Sequence, residues 1–404
     1  MLQRTRVLTF LVFALGISLA CSRRTEQAHV QEANQDALPA SPLPGVASDP
    51  TPVDRGADDA ARFLAGLPGK EGSPFKELEN QEAWKTHSNQ LNAQWSNLEA
   101  TNFPGMRAFQ KRELGSESIT KSVLFYPFGG PDSLTATMLF PDNANSVLVS
   151  LEPTGTLPTP KALAAKPLGP ELGAVRETLE SVLRRSFFIT REMDRQFRGQ
   201  ITDGLLPPIL ELLVRNGNTV RGIRMIRLDD EGRVVTRPAG YKSTAKIENR
   251  GVEIEFERDA NKTIHKMYYF SVNLSDERMK QNKPFRTFLS RIEGMTTFLK
   301  STSYMPHKEG FTEITGEILK LSQTVLQDDS GLPYKCFAAG WDVQLYGDYD
   351  KPYGSFHYLA QKDLKEAYQT LKPKPLGFRI GYGYSKVPSN LLMARRKLAA
   401  SLKH

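Results

Sequence analysis

Apolar positions along this chain change period repeatedly, and the changes mark out its elements. Between Pro74 and Ala100 the run is polar, with Trp84 and Trp95 as sparse anchors, which predicts a surface helix. The stretch SVLFYPFGGPDSLTATMLFPDNANSVLVSLEPTG follows. Its three runs rich in Val, Leu, Phe and Thr are separated by Gly/Pro/Asp and Asn clusters, the pattern of a three-stranded meander. A long helix is predicted from Glu171 to Phe197. Two hairpins come next, TVRGIRMIRLDDEGRVV turning at DDEG and GVEIEFERDANKTIHKMYYFSV turning at DANK.

Phe311, Ile314, Ile318, Leu321 and Val325 recur at helical spacing, so a helix is predicted through FTEITGEILKLSQTVL. YKCFAAGWDVQLYG reads as a strand, KDLKEAYQTL as a helix, GFRIGYG as a strand and the basic C-terminal segment as a helix. The mixture predicts an α+β fold, a mostly antiparallel sheet with packed helices, in one body or two intimate lobes.

The N-terminus follows a different pattern. MLQRTR is a short basic region, VLTFLVFALGI an apolar one, and SLAC a cleavage site of small residues. The apolar run is short for a membrane span, so residues 1–20 are expected to be a signal peptide. Ser18 and Ala20 suit an ordinary signal peptidase. Cys21 directly after Ala20 resembles the lipobox of bacterial lipoproteins, although Ser18 stands where that motif usually carries a branched aliphatic residue. The chain has two cysteines, Cys21 and Cys336, and in an oxidising compartment acylation gives the first a purpose. Residues 21–73 are rich in Ala, Pro, Asp and Gln, too poor in large apolar groups to offset their ordering entropy, and read as a tether. The folded body is expected over 74–404. The expected setting is therefore the bacterial cell envelope, with Ser22 suiting outer-membrane sorting and a lipid anchor as the membrane contact.

Composition limits the function. Hydrophobic residues at 39% are enough for a real core, and the net charge of +8 loses Arg4 and Arg6 with the signal peptide. The remaining basic residues are interleaved with acids, and no basic stripe with aromatics stands out, so nucleic acid is not an expected partner. An envelope glycan or another envelope protein suits a mildly positive surface better.

Two acidic stretches are candidate chemistry. In the meander reading, Asp132 of FGGPD and Glu152 lie at one end of the sheet, on diagonal cross-strand spacing. Gly129 and Gly130 allow close approach of a ligand to the backbone. Two carboxylates on one rim can serve as acid and base. The alternative is a Gly-Pro turn with solvated acids. In QDDSG, Asp328 and Asp329 are read at a helix C-terminus, where the helix dipole disfavours acids. Either they are a structural turn offset by a cation, with Lys300 and Lys335 as candidates, or their environment is useful.

FYPFGGPD, LEPTG, LKSTSYMPH and LQDDSGLPYKCF, with LYGDYDKPYGSF and GFRIGYGYSKVPSNLLMA, together resemble a family of uncharacterised exported bacterial proteins, from about Val123 to Ala394. The resemblance implies no activity. It places Asp132, Glu152, Lys300, Ser301, Ser303, Tyr304, His307, Asp328, Asp329 and Ser330 in signature stretches. Thr302 and Pro306 depart from the pattern.

Other motifs fail on inspection. SITK and STAK match SxxK with no KTG after them. There is no GxSxG, HExxH or P-loop. The histidines form no HxH or HxxxH pair, so neither a metal nor a cofactor is expected. Tyr346, Tyr349, Tyr353, Tyr382 and Tyr384 lie among glycines, where they can stack on sugar rings or close loops.

Two functions from different classes remain. One is a ligand- or glycan-binding protein using Tyr126, Ser301, Tyr304 and Ser330. The other is a hydrolase or transferase with Asp132 and Glu152, or Asp328 and His307, as acid and base and Lys300 stabilising charge.

Overall fold

A computed structural model of the chain describes residues 54–185, 203–243, 246–337, 339–384 and 388–397. Among them are ten strands: β1 (Leu124–Pro127), β2 (Asn145–Ser150), β3 (Asn218–Leu228), β4 (Val234–Thr236), β5 (Arg250–Arg258), β6 (Ile264–Ser271), β7 (Met295–Leu299), β8 (Ser322–Gln327), β9 (Trp341–Gly347) and β10 (Asn390–Arg396). They form one sheet in the order β4-β3-β5-β6-β2-β1-β7-β8-β10-β9. Five of the nine pairings are antiparallel, and helices pack on the sheet, so the fold is α+β as the sequence predicts.

The centre of the sheet is parallel. β6, β2, β1, β7 and β8 run in one direction, flanked by the β5-β3-β4 ribbon on one side and by β10 and β9 on the other. Taken in chain order, the five parallel strands are arranged 3-2-1-4-5, the order of a doubly wound sheet. β1 is its switch point, with the next strand in the chain on one side and β7 on the other.

Both faces of this centre are buried. Leu124, Tyr126, Leu148, Phe298 and Leu326 enter one core, while Phe125, Val147, Val149, Leu299 and Val325 enter the other. The alternation is the period-two signature of strands, and burial on both faces makes them read as continuous apolar runs. Each large side chain buried in this way contributes roughly 1.5–3 kcal/mol.

Several expectations are corrected. SLTATML is a helix, α2 (Ser133–Leu139), because the Asp132 side chain accepts from the Thr135 N–H and caps it. The predicted meander is therefore a β-α-β unit with parallel strands. The helix α4 (Thr312–Leu321) stops at Leu321, and β-branched Thr324 and Val325 continue as β8 without a loop. NLLMARR, made of helix formers, is a strand because it fills the slot between β8 and β9. Tyr334–Phe337 is a 3₁₀ turn, which leaves Cys336 half-buried outside any strand, and Gly381–Tyr384 is another 3₁₀ turn where a strand was predicted.

The body also starts before residue 74. Arg55–Leu64 forms helix α1, whose Ala61, Phe63 and Leu64 are in the core. Of the helix predicted over 171–197, the described part is α3 (Leu168–Arg185); its remainder, and the signal peptide and Cys21, lie outside the described residues.

The two hairpins form as predicted, β3–β4 and β5–β6. The second is shifted by one residue from symmetric pairing: His265 opposes Phe256, and Glu255 opposes Lys266. Among the described residues no helix is long and apolar enough to cross a membrane.

Candidate ligand-binding cleft

A cleft of about 290 Å³ opens at the carboxyl ends of β1, β2, β6 and β7. That is the switch point, where diverging connections leave a crevice above a doubly wound sheet. Its floor and walls come from the segments that follow those four strands.

After β1, FGGPD turns back on itself, with Phe128 at φ 62° and Gly130 at φ 57°. A Cβ on Gly129 would lie 2.6 Å from the Tyr126 ring, so this position has room only for glycine. Asp132 is 2% exposed and accepts from three groups. The Tyr126 hydroxyl donates to Oδ2 (2.8 Å), the Thr135 N–H donates to Oδ1 (3.1 Å), and Lys300 Nζ lies 2.5 Å from Oδ2. Lys300, buried at the end of β7, also donates to the Thr135 hydroxyl (3.1 Å). Burial, then the Asp132 charge, pushes the Tyr126 phenol well above its usual range.

After β2, Glu152 reaches the same cleft. Its carbonyl accepts from the Tyr269 hydroxyl (2.6 Å), which fixes the backbone. Its carboxylate Oε2 is buried and has no hydrogen-bond partner among the described residues. Ser301 Oγ, also on the cleft wall, is in the same condition. Buried polar atoms are normally paired, so the Glu152 oxygen marks a place where a ligand can supply a partner.

After β7 the chain makes an unusual turn. Ser301, Ser303 and Tyr304 have φ of 51°, 55° and 52°, left-handed conformations that cost a non-glycine residue on the order of 1–3 kcal/mol each. QDDSG supplies the restraints that hold it. Asp328 and Asp329 follow β8, at a strand end, which corrects the predicted helix C-terminus. The Ser301 N–H donates to Asp328 Oδ2 (2.9 Å), and the Thr302 N–H donates to Ser330 Oγ (2.9 Å). The Tyr304 hydroxyl donates to Asp329 Oδ2 (2.5 Å), and Asn390 Nδ2 donates to Asp329 Oδ1 (2.9 Å). Tyr382 donates its hydroxyl to the Ser301 carbonyl (3.1 Å) and accepts from the Ser303 N–H (3.1 Å). Gly381, at φ 59°, lets this layer close, because a Cβ there would fall 2.3 Å from Asp328 Oδ2. Burial raises the pKa of both acids, and for Asp328 the neighbouring Asp329 charge adds to it.

The sequence candidates thus fall into two layers. Tyr126, Asp132, Glu152, Lys300 and Ser301 line the cleft. Tyr304, Asp328, Asp329 and Ser330 form the buried network behind its wall and are not part of its lining. Asp132 and Glu152 reach one cleft from adjacent parallel strands, not across an antiparallel sheet. His307 does not pair with the Asp328 carboxylate. It packs edge-on to Tyr304 against the backbone of Asp329 and Gly331, and burial lowers its pKa to about 4. Lys335, suggested as a counter-ion, is not among the partners of either acid; hydroxyl, amide and peptide donors satisfy them instead.

Sequence reasoning missed Asn390 and Gly381; of its two readings for Tyr382, stacking on a sugar or closing a loop, the buried side chain fits the second. Among the described residues no group of His, Cys, Asp and Glu could hold a metal ion. No protein family, curated protein or solved structure matches this chain.

Proposed function

We propose that this chain is an exported, lipid-tethered protein of the bacterial envelope that binds a small hydroxylated ring ligand, with ring hydroxyls donating to Glu152. The observation that carries the reading is the buried, unpartnered Glu152 carboxylate oxygen in a switch-point cleft. The export and the tether rest on the N-terminal sequence and Cys21. Envelope glycans and nucleosides both offer the required hydroxyls and a ring face for the apolar wall.

Binding is favoured over catalysis because the reactive groups nearby are already engaged. Asp132 accepts from Tyr126, Thr135 and Lys300, and Asp328 accepts from Ser301 and Ser330. Calorimetric titration against hexoses, amino sugars and nucleosides tests the reading. At least one should bind, and Glu152→Gln should weaken it about tenfold, the worth of one hydrogen bond to a charged group. A ligand indifferent to that change counts against the proposal. One observation favours a hydrolase or transferase instead: Asp132 and Glu152 line a single cleft. Ester or glycoside turnover lost with Glu152→Gln would carry that second reading.

A further inference from the structure

We infer that the ring ligand is a nucleoside without a phosphate group, its ribose diol on Glu152 and its base on the apolar wall. The inference rests on the cleft reading above and adds the ligand class.

Three observations lead to it. The first is position. Glu152 lies two residues beyond the end of the second parallel strand, twenty-two residues after Gly130 and beside the switch-point strand. In doubly wound sheets a carboxylate near that strand end and about that distance from the glycine turn meets the 2′-hydroxyl of a ribose. The second is the apolar surface beside it. Phe128 and Phe311 meet edge to face at 5.9 Å, and Leu151, next to Glu152, is 60% exposed on the rim. A flat heterocycle covers such a surface better than a hexose, whose faces carry hydroxyls.

The third observation excludes phosphate, and here the chain departs from dinucleotide sites. In those sites the pyrophosphate lies on the free N–H groups that open the helix after the first strand. In this chain the Asp132 carboxylate occupies that position and accepts from Thr135 N–H. Lys300 is the one cationic side chain among the described residues lining the cleft, and it is already paired with Asp132. A phosphate would face Asp132 and Glu152 with no uncommitted cation to offset it. An uncharged or cationic nucleoside meets no such barrier.

The test titrates the full chain with adenosine, guanosine, cytidine and uridine, each beside its 5′-monophosphate and its 2′-deoxy form. The expected result is that at least one ribonucleoside binds, with its monophosphate and its deoxy form each at least tenfold weaker. Glu152→Gln should bring the ribo and deoxy forms to within about threefold of each other. That variant changes a partly exposed side chain and leaves the carbonyl that holds Tyr269, so its fold is retained. A monophosphate that binds as tightly as its nucleoside overturns the inference. Binding of a hexose or amino sugar through Glu152, with no nucleoside binding, also overturns it but leaves the cleft reading standing. If nothing in either panel binds, both fall.

Discussion

Lys300 Nζ lies 2.5 Å from Asp132 Oδ2, and both side chains are only 2% exposed. Removing one partner leaves the other charge buried without its counter-ion. Lys300→Met and Asp132→Asn should each cost about 3–5 kcal/mol in urea unfolding. The double variant should cost clearly less than the two losses added together, because it removes the stranded charge. Additive losses would show that the pair is not coupled.

The left-handed turn gives a prediction of opposite sign at two neighbouring residues. Tyr304→Phe removes the hydroxyl that donates to Asp329 and should cost about 1.5–3 kcal/mol. Ser303→Gly relieves a positive φ and should be neutral or stabilising, by up to about 1 kcal/mol. Chemical denaturation of the two variants side by side checks both signs.

Asp328 makes stability depend on pH. Its carboxyl is raised to about 7 in the folded protein, by burial and then by the Asp329 charge. The folded state therefore holds this proton more tightly than the unfolded chain does. Its contribution is greatest below about pH 4 and is lost as pH rises through about 7. Asp328→Asn abolishes that titration, so wild type should gain stability relative to the variant on going from pH 8 to pH 5. The change should be on the order of 1–4 kcal/mol. His87 and His307, both lowered to about 4 by burial, act in the opposite direction but equally in both proteins. A gap that stays constant between the two pH values would show that Asp328 does not bind the proton.

Membrane attachment should depend on Cys21. Cells expressing the chain should incorporate labelled palmitate into it, and Cys21→Ser should abolish the label and move the protein to the soluble fraction. Retention of the variant in membranes would remove the lipid tether from the proposal.

The readable and unreadable parts of the fold differ in a physical way. The β3–β4 and β5–β6 hairpins were legible because DDEG and DANK punctuate them locally. The parallel centre was not, because a strand buried on both faces reads alike in a meander and in a β-α-β unit. The seven-residue helix Ser133–Leu139 is too short to show a helical period, though Asp132 three residues before Thr135 was an available cap signal. The junction of α4 and β8 carries no Gly or Pro at all, so QDDSG was assigned to the wrong kind of element end. Residue types picked out Asp132, Glu152, Lys300, Asp328 and Asp329, which are now on the cleft or directly behind it. They could not show which would face the opening, because Asp132 and Lys300 are brought together only by strand order.

The bond between Asp329 and Asn390 spans sixty-one residues and ties the cleft wall to the last described strand. Non-local closures of this kind wait on the loop entropy of the chain between them. The turn at Ser301–Tyr304 therefore lacks one of its restraints until the C-terminal strand has emerged and docked. A nascent or truncated chain ending before Asn390 could complete most of the parallel sheet and still have an unfinished pocket. The cleft wall is thus completed only once Asn390 has joined the sheet, as a property of the whole body.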